Sequence, residues 1–177
     1  MNDQGSNGAA PQPAITKFMA AIFEDDERAA QGERAVLSLK REGTLSVCGI
    51  AVVARGPAGQ LSMIEAPNGP STEALTALLS KLSAAVSALP RQALGLLTNL
   101  ESWGDLVDFG VTPNFIEGLA IALLPGKAAV IAEIEEDWIT PLDQRIEAIG
   151  GHIMRTWRSE LEADPQFRER KSIQSTE

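Results

Sequence analysis

Basic clusters are scarce in this sequence. Lys and Arg number 15 against 24 acidic residues, which gives a formal charge of −9. Outside the C-terminal stretch, where Arg168, Arg170 and Lys171 interleave with Glu169, no cationic run occurs. Displacing counterions from phosphates needs such a patch, so nucleic acid is not an expected partner. Cysteine is nearly absent too. Cys48 stands alone, so no intrachain disulfide can form, which fits a reducing compartment and points to the cytoplasm. A single histidine, His152, beside that single cysteine leaves too few ligands for an ordinary structural zinc site. Tyrosine is missing and aromatics make up 5% of the chain. The core must therefore be built from Ala, Val, Ile and Leu.

Other signals are lacking as well. Neither GxxxxGK followed by Ser or Thr nor GxGxxG occurs, so nucleotide binding has no motif behind it. Met1 to Gly8 has neither the basic start nor the apolar run of a signal peptide. Uncharged runs fall short of the roughly 20 residues that a spanning helix needs.

What is present reads as one domain. At 177 residues, with 44% apolar and 22% charged side chains, the chain can bury a proper core. Residues 1 to about 13 read as a disordered polar leader, 14–158 as a single α+β domain, and 159–177 as a charged tail. Ile15 to Phe23 suits a first strand. Glu24-Asp25-Asp26-Glu27 suits the positive end of a helix dipole, and Gly43 suits that helix's stop. Leu45 to Ala54 is the clearest strand. Alternation places Leu45, Val47, Ala51 and Val53 on one face and Cys48, Ile50, Val52 and Ala54 on the other. Two apolar faces imply cover on both sides, by helices or by a second subunit. Gln60 to Ala66 returns as a hairpin partner.

A helical insertion then spans about 71–109. Ser71 suits an N-cap, and Leu75, Leu78, Leu79, Leu82, Val86 and Leu89 recur at helical spacing. Its other face carries Ala74, Ala77, Ser80, Ser83, Ala84, Ser87 and Ala88. Only Glu73, Lys81 and Arg91 are charged between Ser71 and Leu100, few for a solvated helix. Thr112-Pro113 opens another helix with Phe115, Ile116, Leu119, Ala120 and Leu123 inward. Lys127 to Glu135 is a strand, Thr140-Pro141 starts a short helix, and His152 to Arg158 is the last strand. The order favours a ferredoxin-like sandwich with a mainly antiparallel sheet of about five strands.

From Asp108 to Glu160 the chain resembles a known family. The residues that carry the likeness are Asp108-Phe109-Gly110-Val111, Phe115-Ile116, Leu124 to Val130, Glu135 to Asp143, Gly150-Gly151 and Arg155. They are similar to the bacterial family named domain of unknown function 1269. The resemblance implies two halves of a ferredoxin-like domain flanking a glycine-rich apolar hairpin associated with membranes. This chain departs there, since the leucine-rich helix and Pro90-Arg91 replace the hairpin.

No catalytic constellation, cofactor or metal is expected. His152 lacks a nucleophile and an orienting carboxylate in any motif and reads as a strand-edge residue. Cys48, within an apolar strand, reads as a small hydrophobe. The ligand or interaction candidates are Glu133, Glu135, Glu136, Trp138, Arg155 and Arg158. Oxygen-rich clusters can hold divalent ions, and arginine forks can hold anions. Mutual pairing of the two sets is the simpler outcome. The leading expectation is a non-enzymatic regulatory or interaction module acting as a homo-oligomer. A small-ligand or anion sensor and a peripheral membrane protein are the alternatives.

Overall fold

The computed structural model describes residues 16–89 and 115–157. Strand β1 (Lys17–Phe23) leads into helix α1 (Asp26–Arg41), whose start is capped by Asp25 accepting the Arg28 N–H at 2.8 Å. Asp26 and Glu27 fill its first turn, as the dipole favours. Its end is closed by Gly43, at φ +73°, with Gly43 N–H donating to Lys40 O and Thr44 N–H to Leu39 O. That crossed pair of bonds needs a left-handed residue, which glycine supplies without strain.

Strands β2 (Leu45–Arg55) and β3 (Leu61–Asn68) form the hairpin, and α2 (Glu73–Ala88) follows. Helix α3 (Phe115–Ala122), β4 (Ala128–Glu136), α4 (Thr140–Ala148) and β5 (His152–Trp157) complete the described chain. The five strands make one sheet of order β3-β2-β4-β1-β5, and every neighbouring pair is antiparallel. It follows that β1 and β2 run parallel with β4 between them, while β4 and β5 run parallel with β1 between them. The crossovers α1 and α4 pack on the same face of the sheet. Two interleaved split βαβ units are the pattern expected of a ferredoxin-like sandwich. The fold class is α+β, as the element order predicts. The inserted β3, α2 and α3 lie between the second and third strands of that pattern.

The insertion covers the second face. Leu75, Leu78, Leu79, Leu82 and Val86 of α2 and Ile116, Leu119 and Ala120 of α3 pack on Phe18, Ala20, Ala51, Val53 and Ile131. On the other face, Ala29, Val36 and Leu39 of α1 and Leu142 and Ile146 of α4 meet Met19, Ala21, Phe23, Val130 and Ile134. Both sides of β2 are thus filled by helices of the same chain, which settles the alternative that the sequence leaves open.

Alternation misplaces half of β2. Leu45 and Val47 share the α1 face with Ile50, Val52 and Ala54, whereas Ala51 and Val53 face α2. The pairing of β2 with β4 shifts between Val47 and Gly49, and this bulge reverses the phase. Ser71 N–H donates to the Cys48 carbonyl at 2.9 Å there. Ser71 therefore does not cap α2. Its N-cap is Thr72, without a side-chain hydrogen bond, and the N-cap of α4 is likewise Ile139, with Thr140 already helical. The expected helix start at Thr112-Pro113 lies outside the described residues, as do the leader and the charged tail.

The insertion is fastened by Arg55 at the end of β2. This side chain is 2% exposed. Its Nη1 donates to Ala120 O at 3.2 Å and Leu123 O at 3.0 Å, and its Nε donates to Gly59 O at 3.2 Å. Gly126 N–H donates in turn to the Arg55 carbonyl at 2.7 Å. A cation at the last carbonyls of α3 meets the negative end of that helix. Burial pulls the guanidinium below its ordinary range, yet an arginine remains charged at neutral pH. Arg55→Met is expected to lower unfolding stability by about 1.5–3 kcal/mol, the scale of hydrogen bonds made by a charged group. Urea denaturation of the variant and parent measures the difference.

Candidate functional site

The two parallel strands β4 and β5 end beside the start of β1, which brings distant charges together. Period-two alternation puts Lys17, Glu136, Arg155 and Trp157 on the α1/α4 face, and Asp143 reaches in from α4. Glu136, its side chain fully buried, accepts from Arg155 Nε at 2.6 Å and from Nη2 at 3.3 Å. Lys17 Nζ lies 3.5 Å from the same carboxylate and 4.8 Å from the Trp157 ring centre. Arg155 Nη2 is 2.7 Å from Asp143 Oδ1. That oxygen is otherwise without a hydrogen bond, so the contact is an ion pair of imperfect alignment. Desolvation works against the Arg155 charge. The hydrogen bonds to Glu136, the close contact with Asp143 and the charges of both carboxylates outweigh it and raise the guanidinium above its ordinary range.

Two cations here face two carboxylates, and the fork of Arg155 is filled by the chain's own groups. Such a cluster locks the sheet end to α4 and offers little grip to an incoming anion.

The remaining candidates do not converge on it. Glu133 and Glu135 point to the opposite face, and Glu133, only 1% exposed, stands in register with Phe18 and Gly49. Trp138 is 76% exposed and Ile139 49% exposed, in the link to α4. Arg158 lies outside the described residues. No group of three His, Cys, Asp or Glu among the described residues is arranged to hold a metal ion. Lys17 and Asp143 belong to the cluster but not to the residues expected from sequence. Only the strand order, which sets β1 between β4 and β5, could have pointed to Lys17.

A second feature has no charged lining at all. Between β3 and α2 opens a groove of about 510 Å³, floored by Val53, Leu61, Met63 and Leu79 and rimmed by hydroxyls including Thr76 and Ser83. Met63 and Ile64 on β3 are 49% and 41% exposed. The small-residue face of α2 continues this surface, since Ala77, Ser80, Ser83, Ala84, Ser87 and Ala88 are all exposed. No described helix is long and apolar enough to cross a membrane.

A carboxylate pair sits behind the β3 edge. Glu33 of α1 is raised above its ordinary range by burial first and by the charge of Glu65 second, against a lowering from Arg34. An acid whose folded pKa is raised binds protons more readily when folded, so stability falls as pH rises from its unfolded value of 4.5 through the folded one. Glu33→Gln is therefore expected to raise the melting temperature at pH 7. The gain should vanish below pH 4.5, where both states carry the proton, and a pH series of thermal melts tests it.

No family model, no curated protein and no solved structure matches the chain. The class that fold and surface define is an α+β domain with an enclosed ion cluster and an open uncharged groove.

Proposed function

We propose that the protein is a non-enzymatic interaction module that self-associates. The observation that most supports an interaction role is the charge-poor α2–β3 surface, on which Glu73 and Lys81 are the only charged residues of α2. In a chain of net charge −9, a solvated helix face ordinarily carries more charge than the Glu73 and Lys81 of α2, whose exposed face is otherwise mostly Ala and Ser. The ionisable side chains of Lys17, Glu136, Asp143 and Arg155 at the sheet end are engaged with one another, which favours a structural over a catalytic role for this cluster. The likeness to the domain of unknown function 1269 belongs to this proposal, through Leu124 to Val130, which form the turn and strand that Arg55 secures.

Mass in solution tests the reading. Light scattering at micromolar concentration should report an oligomer, and a strict monomer would remove the self-association.

A second reading is favoured by the groove itself, whose volume lies within the range of small-molecule sites. A neutral, mainly apolar ligand suits its lining better than an anion does. A thermal-shift screen separates the two, because a ligand that binds only the folded state raises the melting temperature by mass action. No shift at millimolar ligand would count against it.

A further inference from the structure

The sheet has two edges, and they differ in how well they could accept another strand. The β3 edge is poorly suited. Its pairing with β2 shifts between Ile50 and Val52 and again between Val52 and Val53, and Pro67 interrupts its donors. Bulges and proline are devices that blunt an edge. Glu65 also sits there, close enough to Glu33 to raise it. A second copy docked on β3 would bring two more carboxylates to that pair.

The β5 edge has none of these features. Its six residues pair with β1 without a register shift, from Ile22 opposite His152 to Lys17 opposite Trp157. It contains no proline, and no described strand lies on its outer side. An inward-pointing charge can also guard an edge, and Arg155 is one. Here that charge is cancelled by Glu136 and Asp143. The edge therefore presents a row of backbone donors and acceptors without net charge, in a chain of formal charge −9.

We infer that β5 pairs antiparallel with β5 of a second copy, which joins the two sheets into one of ten strands. The inference rests on the self-association proposed above and assigns it to the β5 edge, which leaves the α2–β3 surface for a different partner. Antiparallel edge pairing about a twofold axis is self-complementary, so one patch serves both copies. The two α2–β3 grooves then lie at the far ends of the joined sheet, each left open for a further partner. A twofold axis perpendicular to the sheet keeps each residue and its mate on the same face. One β5 residue must then stand opposite itself, and its neighbours lie within about 8 Å of their mates.

Single cysteines at Ile153, Met154 and Thr156, in a Cys48→Ala background, test this with a short bismaleimide crosslinker. Controls carry the cysteine at Ser62 or Met63 on β3, or at Ser83 on α2. Light scattering of each uncrosslinked variant comes first. The expected result is a dimer that becomes covalent from the β5 positions and stays at background from the controls. A dimer that crosslinks only from the β3 or α2 positions overturns the β5 pairing while leaving self-association intact. A dimer that crosslinks from none of them does the same. A monomeric Cys48→Ala parent, with wild type also monomeric, overturns both.

Discussion

Replacing Phe23 by alanine is expected to cost about 3–5 kcal/mol, the range for deleting a buried aromatic ring from a packed core. Phe23 is 1% exposed at the end of β1. Two glycines hold its ring. A Cβ added at Gly32 of α1 would strike the ring carbons, and one added at Gly151 before β5 would meet the ring and Ile146. The absence of side chains at both positions is thus what lets α1 and the α4–β5 turn close on the same ring. Neither neighbour can easily fill the space that the ring leaves, so the cavity term should persist. Gly32→Val is the complementary change. It forces the ring off its place, and overpacking of this kind costs about 1–3 kcal/mol. Combining Gly32→Val with Phe23→Leu should recover part of that loss, because the added methyls occupy volume given up by the ring. Chemical denaturation of wild type, Gly32→Val, Phe23→Leu and the double variant checks the cycle. A double-variant loss equal to the sum of the two single losses would show that the ring and the glycine do not share a site.

Most of the architecture could be read from periodicity, for physical reasons that also explain the failures. The α2 stripe is found correctly because its leucines recur at 3.6 residues against a weakly polar background, and Leu75, Leu78, Leu79, Leu82 and Val86 are all buried. Strand β2 is found as a strand, but its phase is lost at Cys48. When both faces are apolar, no polar residue marks the inserted position, so a bulge leaves no trace in the pattern. Arg55 looks like part of a turn, since its neighbours are Gly56-Pro57. Its burial depends on Ala120 and Leu123, 65 and 68 residues further on. The expected site divides for a simpler reason. Glu133 and Glu135 differ from Glu136 in strand parity, so β4 sends them to opposite faces. That separation was available in the sequence. The pairing of Glu136 with Arg155 was not, because it requires β4 and β5 to run parallel on either side of β1.

Glu136→Leu should produce the other large effect, a loss of about 3–5 kcal/mol, because it leaves buried cations without their counter-charge. Glu136 has a fully buried side chain and two cationic neighbours, Arg155 at 2.6 Å and Lys17 at 3.5 Å. Once it is gone, Asp143, 2.7 Å from Arg155, balances only one of them. The double variant Glu136→Leu with Arg155→Met should regain most of the stability, since an apolar pair of similar size often replaces a buried ion pair at little cost. Full recovery would mean that the cluster contributes little to net stability and is explained better by what it does to the β5 edge. That edge provides the discriminating readout. In Glu136→Leu, at a temperature where the fold persists, the Arg155 charges of two copies would approach along paired β5 strands, and the dimer should weaken. In the double variant the charge is absent and the dimer should return. Sedimentation equilibrium on the three proteins measures both steps. A dimer that is equally strong in all three would show that Arg155 lies far from the contact between copies.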